Sequence, residues 1–252
     1  MPLNHQIRLE QLVGPAALKR LQDSHVTVCG LGAVGSFALE ALVRSGVGHV
    51  RIIDFDRVDE TNINRQILAL HSTVGEKKTD LAVRRIRDIN KACTVDVRDV
   101  FIDEQRLPEL LKDPVDAIID AIDGVSSKVH LLAQAYERGI YTVSCMGAAG
   151  RTRTDGIQVV DLKKTHTCPL ARMVRRRLHR VGIDSGIRCV FSPHPAQMTA
   201  PDCETVPEAV GATDRGRRRS PLGSLVAVTG IFGLMAAGDV ISYLMESPSV
   251  GS

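Results

Sequence analysis

The 252-residue sequence has few aromatic side chains and no closely spaced cysteines. It contains no Trp, three Tyr and five Phe, which argues against a protein that stacks bases on aromatic rings. Its six cysteines form no C-x-x-C pair, so the spacing does not support a structural zinc site. The first 12 residues carry charges and no apolar core. We therefore expect no signal peptide, a reducing cytoplasmic setting and no disulfide framework.

One apolar run, Leu225 to Leu244, is long enough to be considered as a membrane span. Asp239 interrupts this run, and several glycines and hydroxylated residues dilute it. Because a carboxylate is costly to place in lipid, we expect a buried or subunit-interface helix. Membrane association through this helix is the alternative.

The formal net charge of +3 hides an uneven distribution. Residues 1–150 carry 18 basic and 20 acidic side chains, whereas residues 151–252 carry 14 and 9. Nine arginines form two clusters in this basic part: Arg172, Arg175, Arg176, Arg177 and Arg180, then Arg215, Arg217, Arg218 and Arg219. Such clusters are often simply solvated, but they also suit contacts with RNA phosphates.

Predicted strands and helices alternate through the first two-thirds of the chain. The strands are 25–29, 50–54, 94–100, 115–120, 140–144 and 157–161, and the helices are 15–22, 35–44, 77–90, 104–112, 126–138 and 169–181. This order predicts an α/β, Rossmann-like doubly wound and mainly parallel sheet with helices on both faces. We expect one domain over 1–252, with a nucleotide-binding core (1–165) and a C-terminal extension (166–252). The proline-rich segment 192–224 is predicted to be a long loop.

A glycine-rich turn follows the first predicted strand and opens a helix. It reads Gly30-x-Gly32-x-x-Gly35, and Asp54 follows Gly35 by 19 residues. Glycines let the backbone approach phosphates, the helix N-terminus supplies amide donors, and the carboxylate suits ribose hydroxyls. On its own, the pattern indicates a nucleotide, most commonly NAD.

The residues after the second strand suit a triphosphate better than a dinucleotide. A triphosphate needs cations beyond the glycine turn, and Arg65 and Lys78 are of the right type. It also needs a metal ion, which Asp123 could hold directly or through water. Simpler interpretations stay open: Arg65 as a capping ion pair, Lys78 as a solvated helix residue, and Asp123 as a turn former.

Five motifs in order resemble the ubiquitin-activating-enzyme superfamily, which includes the bacterial adenylyltransferases of sulfur-carrier proteins. The motifs are the glycine turn, Asp54-Phe-Asp56, Asn62-Ile-Asn-Arg65-Gln66, Val74-Gly75-x-x-Lys78 and Asp120-Ala-Ile-Asp123. The resemblance covers about residues 10–165. It implies ATP and Mg²⁺ as cofactors. The implied site consists of Gly30, Gly32 and Gly35 at the phosphates, Asp54 at the ribose, Asp56 in the nucleotide site, Asn62, Arg65 and Lys78 at the triphosphate, and Asp123 at the magnesium.

Later motifs are similar to those of the tRNA threonylcarbamoyladenosine dehydratases within that superfamily. These are residues 147–150, 157–165, 169–171 and 189–192, together with the apolar C-terminal helix. The resemblance implies that a carboxylate on a tRNA-borne threonyl group is adenylated and then cyclised, with net loss of one water. Arg65, Lys78 and Asp123 would be its catalytic residues. The implied partners are tRNA, through a basic region that includes Arg175, Arg176 and Arg177, a second copy of the chain, and a sulfur-transfer protein; DNA is not expected.

Three other functions stay open at this stage. A sulfur-carrier adenylyltransferase would share the first step, an NAD-dependent oxidoreductase would share the glycine turn, and a scaffold would bind nucleotide without catalysis. A thioester-forming enzyme would need a reactive thiol, for which Cys168 and Cys203 are the candidates in predicted loops. The sequence departs from the family at 193–222, and Arg8 is the nearest counterpart of an N-terminal arginine that often reaches the triphosphate.

Overall fold

Strands and helices alternate through the chain as the sequence predicts. The computed structural model describes residues 5–197 and 222–246. The helices are α1 (Ile7–Val13), α2 (Pro15–Asp23), α3 (Gly35–Arg44), α4 (Lys78–Ile89), α5 (Leu107–Leu110), α6 (Val125–Glu137), α7 (Pro169–His179) and α8 (Val226–Glu246). The strands are β1 (His25–Cys29), β2 (His49–Ile53), β3 (Thr94–Arg98), β4 (Ala117–Asp120), β5 (Tyr141–Cys145), β6 (Gln158–Asp161) and β7 (Arg188–Phe191). Short 3-10 helices cover Glu60–Asn62, His71–Thr73 and Leu162–Lys164.

The strands form one sheet in the order β3-β2-β1-β4-β5-β7-β6. All neighbouring pairs are parallel except β6 and β7, which are antiparallel. The chain order reverses beside β1, so β1 and β4 form the switch point at which such sheets bind ligands. The predicted mainly parallel, Rossmann-like sheet is therefore confirmed.

Three elements differ from the sequence prediction. Helix α1 and strand β7 were not expected, because a seven-residue helix and a four-residue strand give too little periodicity to recognise. The helix predicted over 104–112 shrinks to α5. Pro108 has no amide hydrogen to donate to a carbonyl four residues earlier, so a regular helix cannot run through from residue 104. Most of the loop predicted over 192–224 lies outside the described residues, as do Cys203 and the second arginine cluster.

Helix α8 packs one face into the protein core. Val228, Phe232, Ala236 and Val240 on this face are fully buried in the same apolar cluster as the central strands. Its length and composition would allow it to cross a membrane. Asp239, which interrupts the apolar run, accepts hydrogen bonds from Tyr141 Oη at 2.8 Å and Arg188 Nε at 2.7 Å. These contacts support the expectation of a helix buried in the protein.

Candidate nucleotide-binding site

The three glycines of the turn after β1 have different physical reasons to be glycine. Gly30 has a φ of +89°, and a Cβ there would lie 2.9 Å from the carbonyl oxygen of Ala121. A Cβ on Gly35 would overlap the carbonyl oxygen of Gly30. At Gly32, by contrast, the nearest atom to a Cβ is Gln66 Nε2 at 3.9 Å. The space beside Gly32 is therefore open, as close approach of a phosphate requires.

Asp54 joins the glycine turn to the loop after β2. Its Oδ2 accepts a hydrogen bond from Leu31 N at 2.6 Å, and its Oδ1 accepts one from Asp56 N at 2.8 Å. Burial raises the pKa of this carboxyl group, although the nearby Lys78 ammonium opposes the shift. Each carboxylate oxygen can accept a second hydrogen bond, so the residue retains acceptor capacity for a ribose.

Lys78 lies beside the same loop, at the first position of α4. It is 4% exposed, and its Nζ donates to Asp56 Oδ2 at 2.7 Å. Its own amide also donates to the carbonyl oxygen of Asp56 at 3.1 Å. The interpretation as a solvated helix residue is therefore wrong for this lysine. Hydrogen bonds therefore connect Leu31 to Asp54, Asp54 to Asp56, and Asp56 to Lys78. These four residues belong to three of the predicted motifs and lie on one side of the sheet.

Asn62 and Arg65 lie on the same segment as Gln66, whose Nε2 is the atom nearest to a Cβ on Gly32 of the glycine turn. Asn62 Oδ1 accepts from Asp59 N at 3.3 Å, which closes a capping box around the short helix. Arg65 Nη1 donates to Thr61 O at 2.6 Å and to Asn64 Oδ1 at 2.8 Å. Among the described residues, no carboxylate forms an ion pair with Arg65. Gln66 is 7% exposed, and its Oε1 has no hydrogen-bond partner in the described chain.

Asp123 lies in the loop between β4 and α6, next to the glycine turn. The adjacent Ala121 carbonyl is the group that a Cβ on Gly30 would meet, so this loop borders the phosphate side of the turn. The Asp123 side chain is exposed. Within 5–197 and 222–246 there is no cluster of three or more His, Cys, Asp or Glu side chains that could hold a metal. The Asp123 carboxylate fits Mg²⁺, which commonly binds one or two carboxylates together with nucleotide phosphates and water.

A buried polar cluster under this loop was not predicted from the sequence. Lys128 and Asp120 are fully buried, and Lys128 Nζ donates to Asp120 Oδ2 at 2.7 Å. Lys128 also donates to Ser144 Oγ at 3.2 Å and to Cys145 O at 3.0 Å. The other oxygen of Asp120 accepts from Ile122 N at 3.1 Å. The cluster therefore anchors the backbone immediately before Asp123.

The basic helix α7 turns its arginines in different directions. Arg172, Arg176 and Arg180 are exposed. Arg175 is half-buried and donates to Thr165 O at 2.7 Å, so its guanidinium is engaged inside the protein. Arg177 Nη1 donates to Ser126 Oγ at 2.9 Å, which ties α7 to the first turn of α6, next to Asp123.

The cysteines within the described residues are buried. Burial raises the pKa of the Cys145 thiol to about 12, and the neighbouring Lys128 ammonium only partly offsets this effect. Cys168 is 4% exposed and packs among apolar side chains next to Gly147. Cys168 does lie in a loop, directly before α7, but its burial leaves no exposed thiol there for a thioester. Arg8 is exposed on α1, at the surface.

Comparison with known proteins identifies relatives over nearly the whole chain. The model of the ThiF family matches residues 3–251. The tRNA threonylcarbamoyladenosine dehydratase of Bacillus subtilis is 40% identical over 96% of this chain and 95% of its own. The crystal structure of Escherichia coli tRNA N6-threonylcarbamoyladenosine dehydratase in complex with ATP superposes with a TM-score of 0.85, at 34% identity over 96% of this chain and 93% of that one. The sulfur carrier protein ThiS adenylyltransferase of Bacillus subtilis matches only 56% of this chain and 43% of its own, at 34% identity. The chain therefore belongs to the ThiF family.

Proposed function

We propose that this protein is an ATP-dependent tRNA threonylcarbamoyladenosine dehydratase. One observation carries the proposal: Gly32 has open space beside it with Gln66 at its margin, and the adjacent Leu31 amide is bound to Asp54, which is linked through Asp56 to Lys78. This arrangement supplies the phosphate approach, the ribose acceptor and the cation that ATP requires. The dehydratases match the chain nearly end to end, which favours them over sulfur-carrier adenylyltransferases.

The proposed ATP site uses residues from five segments of the chain. Gly30 and Gly35 shape the turn, and Gly32 leaves room for the phosphates. Asp54 binds the ribose, and Asp56 holds Lys78 in place. The triphosphate contacts come from Asn62, Arg65 and Lys78. Asp123 holds Mg²⁺, which would neutralise charge on the pyrophosphate leaving group.

The first chemical step needs positioning and charge neutralisation rather than a general base. A carboxylate oxygen of the threonyl group attacks the α-phosphorus of ATP, and the bond to the pyrophosphate breaks. The nucleophile is already ionised, so no proton has to be removed. The carbamoyl group then attacks the acyl carbon, loses one proton to solvent, closes a ring and expels AMP. The oxygen lost from the carboxylate leaves on AMP, which accounts for the net loss of one water.

We propose that tRNA binds along the exposed side of α7. Arg172 and Arg176 present their guanidinium groups outward there, and Arg177 connects the same helix to the Asp123 loop. Phosphates bound along α7 would therefore bring the substrate nucleoside towards the ATP site. We further propose a cytoplasmic homodimer in which a second copy covers exposed apolar residues of α8 such as Leu234, which is 49% exposed. A sulfur-transfer protein is a further proposed partner.

The decisive experiment combines the protein with ATP, Mg²⁺ and tRNA that carries threonylcarbamoyladenosine. The tRNA is then digested to nucleosides, which are weighed by mass spectrometry. We expect the modified nucleoside to lose one water, with stoichiometric release of AMP and pyrophosphate. An unchanged nucleoside, together with adenylation of a small sulfur-carrier protein, would instead identify a carrier adenylyltransferase. Thermal stabilisation by NAD and not by ATP would identify a dinucleotide-binding protein.

A further inference from the structure

Arg151 is a buried arginine that follows β5 at the carboxyl edge of the sheet. The residue is 3% exposed. Its Nε donates to the carbonyl oxygen of Gly147 at 2.8 Å, and its Nη1 is buried with no hydrogen-bond partner among the described residues. None of the roles proposed above for ATP, magnesium or tRNA uses this side chain.

A buried guanidinium with one unsatisfied nitrogen and no ionic partner indicates a missing anion. Arginine remains protonated in proteins, and a buried charge is strongly unfavourable unless a counter-charge and hydrogen bonds compensate it. Within 5–197 and 222–246, no Asp or Glu oxygen lies within ion-pair distance of Arg151. A ligand that carries a negative charge would supply the compensation.

The loop that carries Arg151 adjoins the candidate ATP site. Gly150 N donates to Gly223 O at 2.7 Å. The next residue, Ser224, accepts at its carbonyl oxygen from Asn64 Nδ2 at 3.1 Å. Residues 223–224 therefore connect the Arg151 loop to the segment that holds Arg65. Both loops lie on the same edge of the sheet as Asp54 and Asp123.

We propose that Arg151 binds the substrate carboxylate that is adenylated, an inference that rests on the proposed function. The phosphates of ATP already have Gly32, Arg65 and Lys78, whereas the proposed site so far holds no group for the acceptor carboxylate. A guanidinium suits this task, because its planar donors match a carboxylate and keep it ionised. Oriented by Gly147, Arg151 would present Nη1 to the carboxylate and leave the attacking oxygen free to reach the α-phosphorus.

The test compares Arg151→Gln, Arg151→Lys and Arg151→Met with a matched control, Arg153→Gln. Arg153 lies in the same loop but is exposed, and it pairs with Asp155 at 2.6 Å. For Arg151→Gln we expect kcat/KM for the modified tRNA to fall about 30- to 100-fold, mainly through KM, with the Kd for ATP changed less than about twofold. Arg151→Lys keeps the charge but loses the planar fork, so its loss should be about tenfold. Arg153→Gln should match the wild type.

Stability without ligand separates binding from a purely structural role. If Arg151 awaits an anion, the ligand-free Arg151→Met protein should unfold at the same urea concentration as the wild type or at a higher one. A clear drop in that midpoint, or unchanged kinetics with tRNA, would overturn the assignment. An equal loss of ATP affinity would identify a phosphate as the anion and would likewise overturn it.

The same variants keep the two proposals distinguishable. If the wild-type protein releases pyrophosphate but leaves threonylcarbamoyladenosine unchanged, the proposed function fails. Arg151 is then tested on the carboxylate acceptor that supports pyrophosphate release. A selective loss of acceptor-dependent release in Arg151→Gln would support the carboxylate contact, and an unaltered rate would refute it. If the wild-type protein releases no pyrophosphate with any acceptor, both proposals fail.

Discussion

Lys128 Nζ lies 2.7 Å from Asp120 Oδ2, and both side chains are completely buried. Asp120 is the last residue of β4. Its second carboxylate oxygen accepts a hydrogen bond from the amide of Ile122, one residue before Asp123. Ser144 Oγ donates to the same carboxylate oxygen as Lys128 at 2.6 Å. The pair therefore links the ends of β4 and β5 to α6 and fixes the loop that we propose for magnesium.

Removal of one partner of this pair should destabilise the protein strongly. Lys128→Met leaves the Asp120 carboxylate buried without its counter-charge, for which we expect a loss of about 3–5 kcal/mol in the free energy of unfolding. The double variant Asp120→Asn/Lys128→Met should recover part of that loss, because neither charge is then buried. Urea unfolding of the two single variants and the double variant measures the coupling. A loss below about 1 kcal/mol for Lys128→Met would contradict the structural role.

Two glycine-to-alanine substitutions in the same turn should affect different properties. Gly35→Ala should lower the stability of the fold, and Gly32→Ala should weaken ATP binding. Gly35→Ala places a methyl group against the Gly30 carbonyl, so it should destabilise the fold by about 1–3 kcal/mol or more. Gly32→Ala meets no protein atom closer than 3.9 Å, so stability should hold while ATP binding weakens. Urea unfolding and equilibrium ATP titration distinguish the two effects. Full ATP affinity in Gly32→Ala would place the phosphates elsewhere.

The predicted order of strands was sufficient to place part of the candidate site on the fold. Gly30 directly follows β1 and Asp54 directly follows β2, so local spacing and strand order together place them at one edge of the sheet. Lys78 was predicted for the same site only because its motif occurs together with the others, and its role there stays a prediction. Its burial and its pairing with Asp56 could not be foreseen, because both depend on how α4 packs.

Residues whose role depends on long-range packing escaped the sequence prediction. Lys128 occurs in a helical pattern in which a lysine normally faces solvent, and only the neighbouring strands β4 and β5 bury it. Arg151 looked like one more positive charge in a basic region, although it is among the most buried polar residues. Arg175 belongs to a cluster that suggested RNA contacts, yet Thr165 engages its guanidinium. Charge counting cannot separate such side chains from their exposed neighbours.

Loss of either of two charged side chains, the half-buried Arg65 or the exposed Asp123, should strongly slow the chemistry without loss of the fold. Arg65→Ala removes a cation proposed for the triphosphate, and Asp123→Ala removes the carboxylate proposed for magnesium. We expect pyrophosphate release to fall about 10²- to 10³-fold in each case. Circular dichroism and the unfolding midpoint should match the wild type. Near-normal turnover in both variants would show that the site has been assigned to the wrong residues, even with the fold correct.

Acid should weaken the contact between α3 and α4. Burial favours protonation of Glu40, but hydrogen bonds from Arg85 and Arg44 outweigh it and hold the pKa of this carboxyl below its ordinary value. Arg85 Nη2 lies 3.0 Å from Glu40 Oε1 and joins the two helices. A lowered pKa in the folded state contributes stability above the unfolded-state value, and this contribution disappears as the pH falls through the folded-state value.

Glu40→Gln tests this pH dependence. At pH 7 we expect the variant to be about 1–2 kcal/mol less stable than the wild type. The difference should shrink towards zero as the pH falls through the lowered folded-state pKa, below which Glu40 is protonated in both states. Urea unfolding at several pH values gives the two stability curves. Curves that stay parallel down to acid pH would show that the ion pair does not stabilise the fold.

The exposed side of α7 should control affinity for tRNA and its salt dependence. Each arginine that contacts a phosphate contributes roughly 0.7–0.9 to the slope of log K against log salt. The double variant Arg172→Gln/Arg176→Gln should therefore bind tRNA more weakly at low salt and reduce that slope by about 1.4–1.8. Arg84→Gln is a suitable control. Arg84 is also exposed, but it lies on α4 and pairs with Glu76. Equal salt slopes for the double variant and this control would mean that tRNA does not contact α7.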